Sequence, residues 1–448
     1  MYGKTIYLQG MQSIIGSGAT SEAVTPPKIE GLIRLGTRRL RLMNVDGNTL
    51  QSIAADGTQT LQWPVTLTYP LKLCKQNHWI PHIIIGNVVP AALAKVDASG
   101  RKYGPTSWDS YDKYINAFIK YVVVDQGFAE TEWEVGNEMN SASENWAADE
   151  KPKATTDEYG FNAYAVLYSH IAKDIDEFRH QNPNVHIRVG GPAEGYNNQV
   201  APPLDWTTRF VRYNAANNMP MDFVSFHTYG NSVTSATLGN LIGEIRKELV
   251  NVNSAASIFI TEWGPSYEAT PGLNYEPISG AFALDFVAKM ALFGVHDTIF
   301  LSLSKFPTLE WPALYKLDGS PSHIMLALLS IMDLKGAAVP CVGTDGASGV
   351  AVKDANGNID VVFWNFNWET DKFPTVMPAK GESTHTFVMT EANGNWTGNY
   401  DLVEAKLNSE SWEINAQSPF ANCKGSELTF SLVLPYGSYG YLQLTPHV

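Results

Sequence analysis

The chain has 448 residues, 44% hydrophobic and 17% charged, a composition that excludes a disordered polymer or a long coiled coil and allows a sizeable core. Asp and Glu number 45 against 31 Lys and Arg, a net charge of −14, which disfavours a nucleic-acid partner held by phosphate contacts. Cys74, Cys341 and Cys423 are far apart and odd in number, so neither a disulfide framework nor a cysteine zinc cluster can be assembled.

In chain order, short apolar runs alternate with stretches of helical period. Strand Thr5–Met11 precedes a helix over Pro27–Leu35, and strand Arg39–Val45 precedes a helix over Pro70–Trp79. Strand Pro81–Val89 leads to helix Trp108–Val124, strand Thr131–Gly136 to helix Tyr159–His180, and strand His186–Gly190 to helix Trp206–Asn217. Strand Phe223–His227 with helix Leu238–Val250, strand Ile258–Thr261 with helix Ala281–Phe293, and strand Thr298–Leu303 with helix Ile324–Leu334 complete the series. Runs such as Ile83-Ile84-Ile85 and Ile258-Phe259-Ile260 are apolar on both faces, as parallel strands covered on both sides require. Eight strand–helix pairs predict an α/β fold, a TIM (β/α)8 barrel over residues 1–336, with insertions after the second and fourth strands. An open doubly wound sheet is the competitor, and no glycine-rich phosphate fingerprint follows the first strand to support it.

Beyond Gly336 the pattern changes to strands and turns, predicting an antiparallel β-sandwich over residues 337–448. Gly349–Lys353 and Ile359–Asn365 flank Asn356-Gly357, which predicts a hairpin with a type I′ turn. Further strands are expected at His385–Met389, Asp401–Ala405, Leu428–Leu434 and Tyr439–Leu444. Asp354, Asn356, Asn358 and Asp360 imitate a calcium loop, but Gly357 stands at its fourth position rather than its sixth and no glutamate closes it. Asn395-Trp396-Thr397 is a glycosylation sequon. The longest apolar run, Phe282–Val295, is interrupted by Asp285 and Lys289 and falls short of the roughly 20 residues of a membrane span, so no membrane partner is expected. Met1–Tyr7 lacks a basic segment followed by an apolar one, so the compartment stays open: cytoplasmic, or secreted or periplasmic if a signal has been removed.

Chemistry in such a barrel sits where the strands end. Thr131-Glu132-Trp133-Glu134-Val135-Gly136-Asn137-Glu138 brings Glu138 to the tip of strand four, and Ile258-Phe259-Ile260-Thr261-Glu262 brings Glu262 to the tip of strand seven. Cleaving an acetal needs a proton donor for the leaving oxygen and a second carboxylate on the other face of the sugar ring. Strand six, ending Phe226-His227-Thr228-Tyr229, places His227 and Tyr229 on one face, where a phenol could hydrogen-bond a carboxylate and keep it ionised. The chain's 12 Trp and 20 Tyr also suit a sugar-stacking surface.

Trp133-Glu134-Val135-Gly136-Asn137-Glu138-Met139-Asn140 and Thr261-Glu262-Trp263-Gly264 resemble the strand-four and strand-seven motifs of the clan of (β/α)8 retaining glycosidases, most closely glycoside hydrolase family 39. Gly190-Gly191-Pro192-Ala193, Ser225-Phe226-His227-Thr228-Tyr229 and Val361-Val362-Phe363-Trp364-Asn365 extend the likeness. The resemblance implies Glu138 as general acid/base, Glu262 as nucleophile, and Asn137 as donor to the sugar 2-hydroxyl. It implies His227 and Tyr229 as supports of the two carboxylates, Trp263 as a further supporting or substrate-binding residue, and Arg41 beside the nucleophile. Arg39 shares the strand parity of Arg41 and is an alternative for that place, while Arg41 has a competing assignment in an ion pair with Glu134 on the barrel floor.

Departures from the family pattern are Gly136 in place of Trp, Met139 in place of Pro, and a strand eight, Phe300–Phe306, without the Trp that floors the subsite of the cleaved sugar. The first two are expected to widen or reshape the pocket around the acid. The expectation is a retaining O-glycosyl hydrolase acting on an oligo- or polysaccharide with a β-xyloside-, arabinofuranoside- or exopolysaccharide-type linkage. No metal or organic cofactor is implied, and the alternative is a non-catalytic carbohydrate-binding protein on a degenerate barrel.

Overall fold

The structure is a computed structural model that describes residues 15–19, 25–43, 49–98, 100, 102–141, 158–196, 205–267, 273–303, 311–379, 381–390, 396, 398–414 and 419–447. Parallel strands β1 (Ile15–Ala19), β2 (Arg39–Leu42), β3 (Ile80–Ile85), β4 (Glu130–Val135), β5 (His186–Glu194), β6 (Phe223–Tyr229), β7 (Ser257–Gly264) and β8 (Asp297–Phe300) close into a barrel, with β1 pairing both β2 and β8. Helices α1 (Pro26–Arg34), α2 (Val65–Asn77), α3 (Trp108–Lys120), α4 (Glu158–Gln181), α5 (Asp205–Ala216), α6 (Ser235–Asn251), α7 (Pro277–Leu292) and α8 (His323–Met332) alternate with the strands.

The predicted order of elements stands, and three placements change. Strand Thr5–Met11 lies outside the described residues, and the strand that closes the barrel is Ile15–Ala19. Helix α2 starts at Val65, so Pro70 is inside the helix rather than at its first turn, at the cost of one i→i−4 hydrogen bond. Strand β5 continues past Gly190 to Glu194, which carries Ala193 and Glu194 to the barrel mouth. The insertion after β2 is a hairpin, Leu50–Ile53 with Gln59–Leu61, and a second hairpin, Ala94–Val96 with Lys102–Pro105, follows β3. Residues 142–157 of the insertion after β4 lie outside the described residues.

The barrel interior is charged. Arg39 pairs with Glu132 at 2.7 Å and with Asp297, Arg188 reaches the other oxygen of Glu132 at 3.0 Å, and buried His82 bridges Glu132 at 3.0 Å and Glu134 at 3.4 Å. Burial raises the cost of ionising both glutamates, yet the hydrogen bonds from His82 and the charges of His82, Arg39 and Arg41 hold the Glu132 and Glu134 carboxyls below the usual range. Those same carboxylates raise the His82 imidazole above its ordinary value against its burial.

The C-terminal strands form one antiparallel sheet that folds over a core of its own, with Phe363 and Leu442 on one side meeting Phe387 and Phe430 on the other. Every strand predicted there is present, and short strands Ala337–Val339, Cys341–Gly343, Glu410–Ser411 and Asn422–Lys424 join them. The loop 354–358 replaces the expected two-residue turn. Its Asp354 carboxylate accepts from the Asn356 and Asn358 amides at 2.8 Å, so the calcium-like pattern is a turn closed by its own side chain.

The outer face of this sheet packs on α7, which explains the apolar run Phe282–Val295: the helix is covered on both sides. On the barrel side Phe286 stacks on Trp263 at 4.0 Å, and on the sheet side Phe282 and Phe286 each meet Trp368 at 5.3 Å. Within that apolar layer the buried Asp285 carboxylate accepts from Trp364 Nε1 and from the Trp368 amide, both at 3.1 Å. Asp285→Ala would leave both donors unpaired, at about 1–3 kcal/mol each. Denaturant unfolding should show a loss of about 2–6 kcal/mol in stability for this variant, and an unchanged midpoint would contradict the role of Asp285 as the polar link across the layer.

Candidate active site

At the end of β4 the chain turns sharply. Gly136 has φ +73°, where a side chain is strained, and a Cβ there would lie 2.6 Å from Met139 Sδ. Gly136 and Met139 are therefore complementary: the thioether occupies the space the glycine leaves, and Met139 is 1% exposed, so these departures do not open the pocket. Glu138 itself sits at φ +49°, a sparsely populated region for a side-chain-bearing residue. Its N–H donates to the carbonyl of Ala193 at 2.9 Å, and Ala193, also at φ +50°, donates its own N–H to Ser225 Oγ at 3.1 Å.

The buried Arg41 guanidinium organises the groups around this turn. Its Nη2 lies 2.8 Å from a Glu134 oxygen and donates to Asn137 Oδ1 at 2.8 Å, while Nη1 donates to Glu262 at 3.2 Å. Arg41 thus fills both assignments that the sequence left open, and Arg39 does not compete, being committed one layer lower to Glu132 and Asp297. Nη2 also meets His227 Nε2 at 3.3 Å. Because a guanidinium only donates, Nε2 accepts, which places the imidazole proton on Nδ1, where it donates to Glu138 Oε1 at 2.8 Å. The Tyr229 hydroxyl donates to Glu262 Oε1, and burial followed by the Glu262 charge pushes that phenol well above its usual range.

An oxygen of Glu138, an oxygen of Glu262 and a His227 nitrogen all lie within 4.8 Å of one another. This trio has the spacing of a metal site. Arg41, in contact with both Glu262 and His227, already supplies the positive charge a cation would bring. The two carboxylates differ in setting: the Glu262 side chain is 9% exposed and fixed by Arg41 and Tyr229, whereas that of Glu138 is 35% exposed. Burial raises the Glu138 pKa, but the His227 hydrogen bond and the nearby positive charges, including Arg41, bring it below the ordinary value. Such an arrangement offers one carboxyl fixed in place and one accessible carboxyl that can carry a proton.

Trp263 stands apart from the other predicted residues. It alternates with Glu262 along β7, is fully buried, and stacks on Phe286 behind the strand, so its contribution is packing of the wall that carries Glu262. Residues 304–310, including the end of the strand-eight segment, lie outside the described residues. Glu194, at the end of β5, caps a helix: it accepts from the Trp206 and Thr207 amides at 3.2 and 2.7 Å at the start of α5. Sequence reasoning missed His82 and Glu132, for which inward alternation on β3 and β4 was the available signal.

No protein-family model and no curated protein matches this chain by sequence. Among solved structures, a GH39 enzyme from Xanthomonas axonopodis pv. citri superposes with a TM-score of 0.71 at 16% identity, covering 100% of this chain and 96% of that one. A monomeric β-xylosidase from Caulobacter crescentus CB15 gives 0.65 at 17% identity, covering 100% and 98%. A glucosidase from Croceicoccus marinus gives 0.64 at 14% identity, covering 98% and 97%. The (β/α)8 barrel with its antiparallel β-sandwich is therefore the fold of the family 39 glycoside hydrolases over the whole length of the chain.

Proposed function

We propose that the protein is a retaining glycoside hydrolase in which Glu262 is the nucleophile and Glu138 the general acid/base. The supporting observation is the proximity of Glu138 and Glu262, oxygen to oxygen within 4.8 Å. Retaining enzymes hold their carboxyls about 5–5.5 Å apart, while inverting enzymes need roughly 6.5–9.5 Å to admit a water. Residues 1–336 carry the reaction in this reading, and residues 337–448 brace the barrel through α7.

Glu262, held in place by Arg41 and Tyr229, attacks the anomeric carbon and forms an ester as the glycosidic bond breaks. Glu138 gives its proton to the departing oxygen; His227 occupies Oε1, so Oε2 is the oxygen free to carry that proton. Glu138 then takes a proton from the water that cleaves the ester. Asn137, with its Oδ1 held by Arg41, turns its amide NH2 towards the sugar 2-hydroxyl. Among the linkages the sequence suggests, a β-xyloside is the first to assay, because one fold neighbour is a β-xylosidase.

On aryl glycosides, Glu262→Ala should abolish turnover, with azide restoring it to give an inverted product. Glu138→Ala should retain rapid glycosylation by dinitrophenyl glycosides, which need no acid, and lose about 10²–10⁴-fold on unactivated ones. Equal losses on both leaving groups would contradict the acid/base assignment.

The pH dependence follows from the His227 hydrogen bond. It favours ionised Glu138, so the alkaline limb of kcat/KM, which reports the protonated acid, is displaced downward. His227→Ala leaves burial opposing ionisation and should move that limb up by about 1–2 pH units, given roughly 1.5–3 kcal/mol for a hydrogen bond to a charged group. A limb that stays in place would show that another group titrates.

A further inference from the structure

Residues 138–140 and 193–195 are stitched together by more than the Glu138–Ala193 bond. Asn140 Nδ2 donates to the Gly195 carbonyl at 2.9 Å, and the Gly195 N–H donates back to Asn140 Oδ1 at 2.9 Å. This reciprocal pair is 6% exposed on the Asn140 side. Its consequence lies at Gly195, where a Cβ would stand 2.9 Å from Glu138 Cδ and 3.0 Å from Oε1. The Gly195 backbone is thus held flat against the face of the Glu138 carboxyl. The next residue back, Glu194, fixes the same segment from the other side through the amides of Trp206 and Thr207.

We propose that Asn140 is a positioning residue for proton transfer: its clasp on Gly195 sets the orientation of the Glu138 carboxyl and shields one of its faces from water. This rests on the reading of Glu138 as the acid/base. Three bonds between the two segments, Glu138 to Ala193 and Asn140 to Gly195 twice, close a ring around the strained Glu138 backbone. His227 contacts Oε1 within that ring, so a tilt of the carboxyl alters both the His227 hydrogen bond and the aim of Oε2. Such a role concerns the acid alone. Glu262 has its own fixing groups in Arg41 and Tyr229 and is untouched by the clasp.

Two variants test this, each on a dinitrophenyl glycoside and an unactivated glycoside of the same sugar, over a range of pH. Asn140→Ala cuts the clasp; Gly195→Ala leaves it intact but presses a methyl group on the carboxyl, so a folding defect in one leaves the other decisive. Both should glycosylate from the dinitrophenyl substrate within about 3-fold of the parent, lose about 10-fold or more on the unactivated one, and shift the alkaline limb of kcat/KM, since only part of the roughly 10²–10⁴-fold of acid catalysis is at stake. If the parent turns over both glycosides and Glu138→Ala loses chiefly the unactivated one, but the Asn140 and Gly195 variants lose equally on both substrates with an unmoved limb, the positioning role is wrong and the glycosidase reading stands. If the parent turns over no glycoside, the reading itself falls, and this role with it.

Discussion

The site depends on the placement of one buried guanidinium. Arg41 touches Glu134, Asn137, Glu262 and His227, four groups delivered by three different strand ends, and its planar fork can satisfy them together where a lysine point charge could not. Burying a cation this deeply is unfavourable unless carboxylates surround it, and Glu134 and Glu262 do so. The placement of the Glu262 carboxyl, the tautomer of His227 and the orientation of Asn137 all follow from that single group.

Beneath it, His82 couples the Arg41 layer to the Arg39 layer by bridging Glu134 and Glu132. Cations and carboxylates thus occupy much of the barrel interior, where branched aliphatic side chains usually dominate, and the stacked rings of Phe223 and Phe259 pack against Arg39, His82 and Arg188. Apolar packing is moved outward, between strands and helices, and beyond them to α7, which is shared by the barrel and the antiparallel sheet. The rigidity of the mouth draws on both layers: the charged interior sets where each carboxylate points, and Trp263 stacked on Phe286 backs the strand that carries Glu262.

Much of this was legible in the sequence because the barrel repeats one local pattern eight times and because strand ends must carry its chemistry. Glu138, Glu262, His227 and Tyr229 were found from strand position and alternation. Alternation equally turns Trp263 outward once Glu262 is placed inward, so its support of the site is through packing behind the strand. The extension of β5 to Glu194 was not legible, since Gly190, Gly191 and Pro192 read as a strand stop, and only pairing with β6 carries the strand onward. Nor could one sequence show that Arg41 serves both Glu134 and Glu262, because that choice is made by strands far apart in the chain.

In the proposed mechanism Glu262, fixed by Arg41 and Tyr229, is the group that bonds to the sugar. A 2-deoxy-2-fluoro glycoside with a good leaving group slows release of the glycosyl-enzyme, so the adduct accumulates and can be located by mass spectrometry of proteolytic peptides. One added fluorosugar per chain is expected, on the peptide containing Glu262. An adduct on Glu138 or another carboxylate, or turnover with inversion of the anomeric centre, would contradict it.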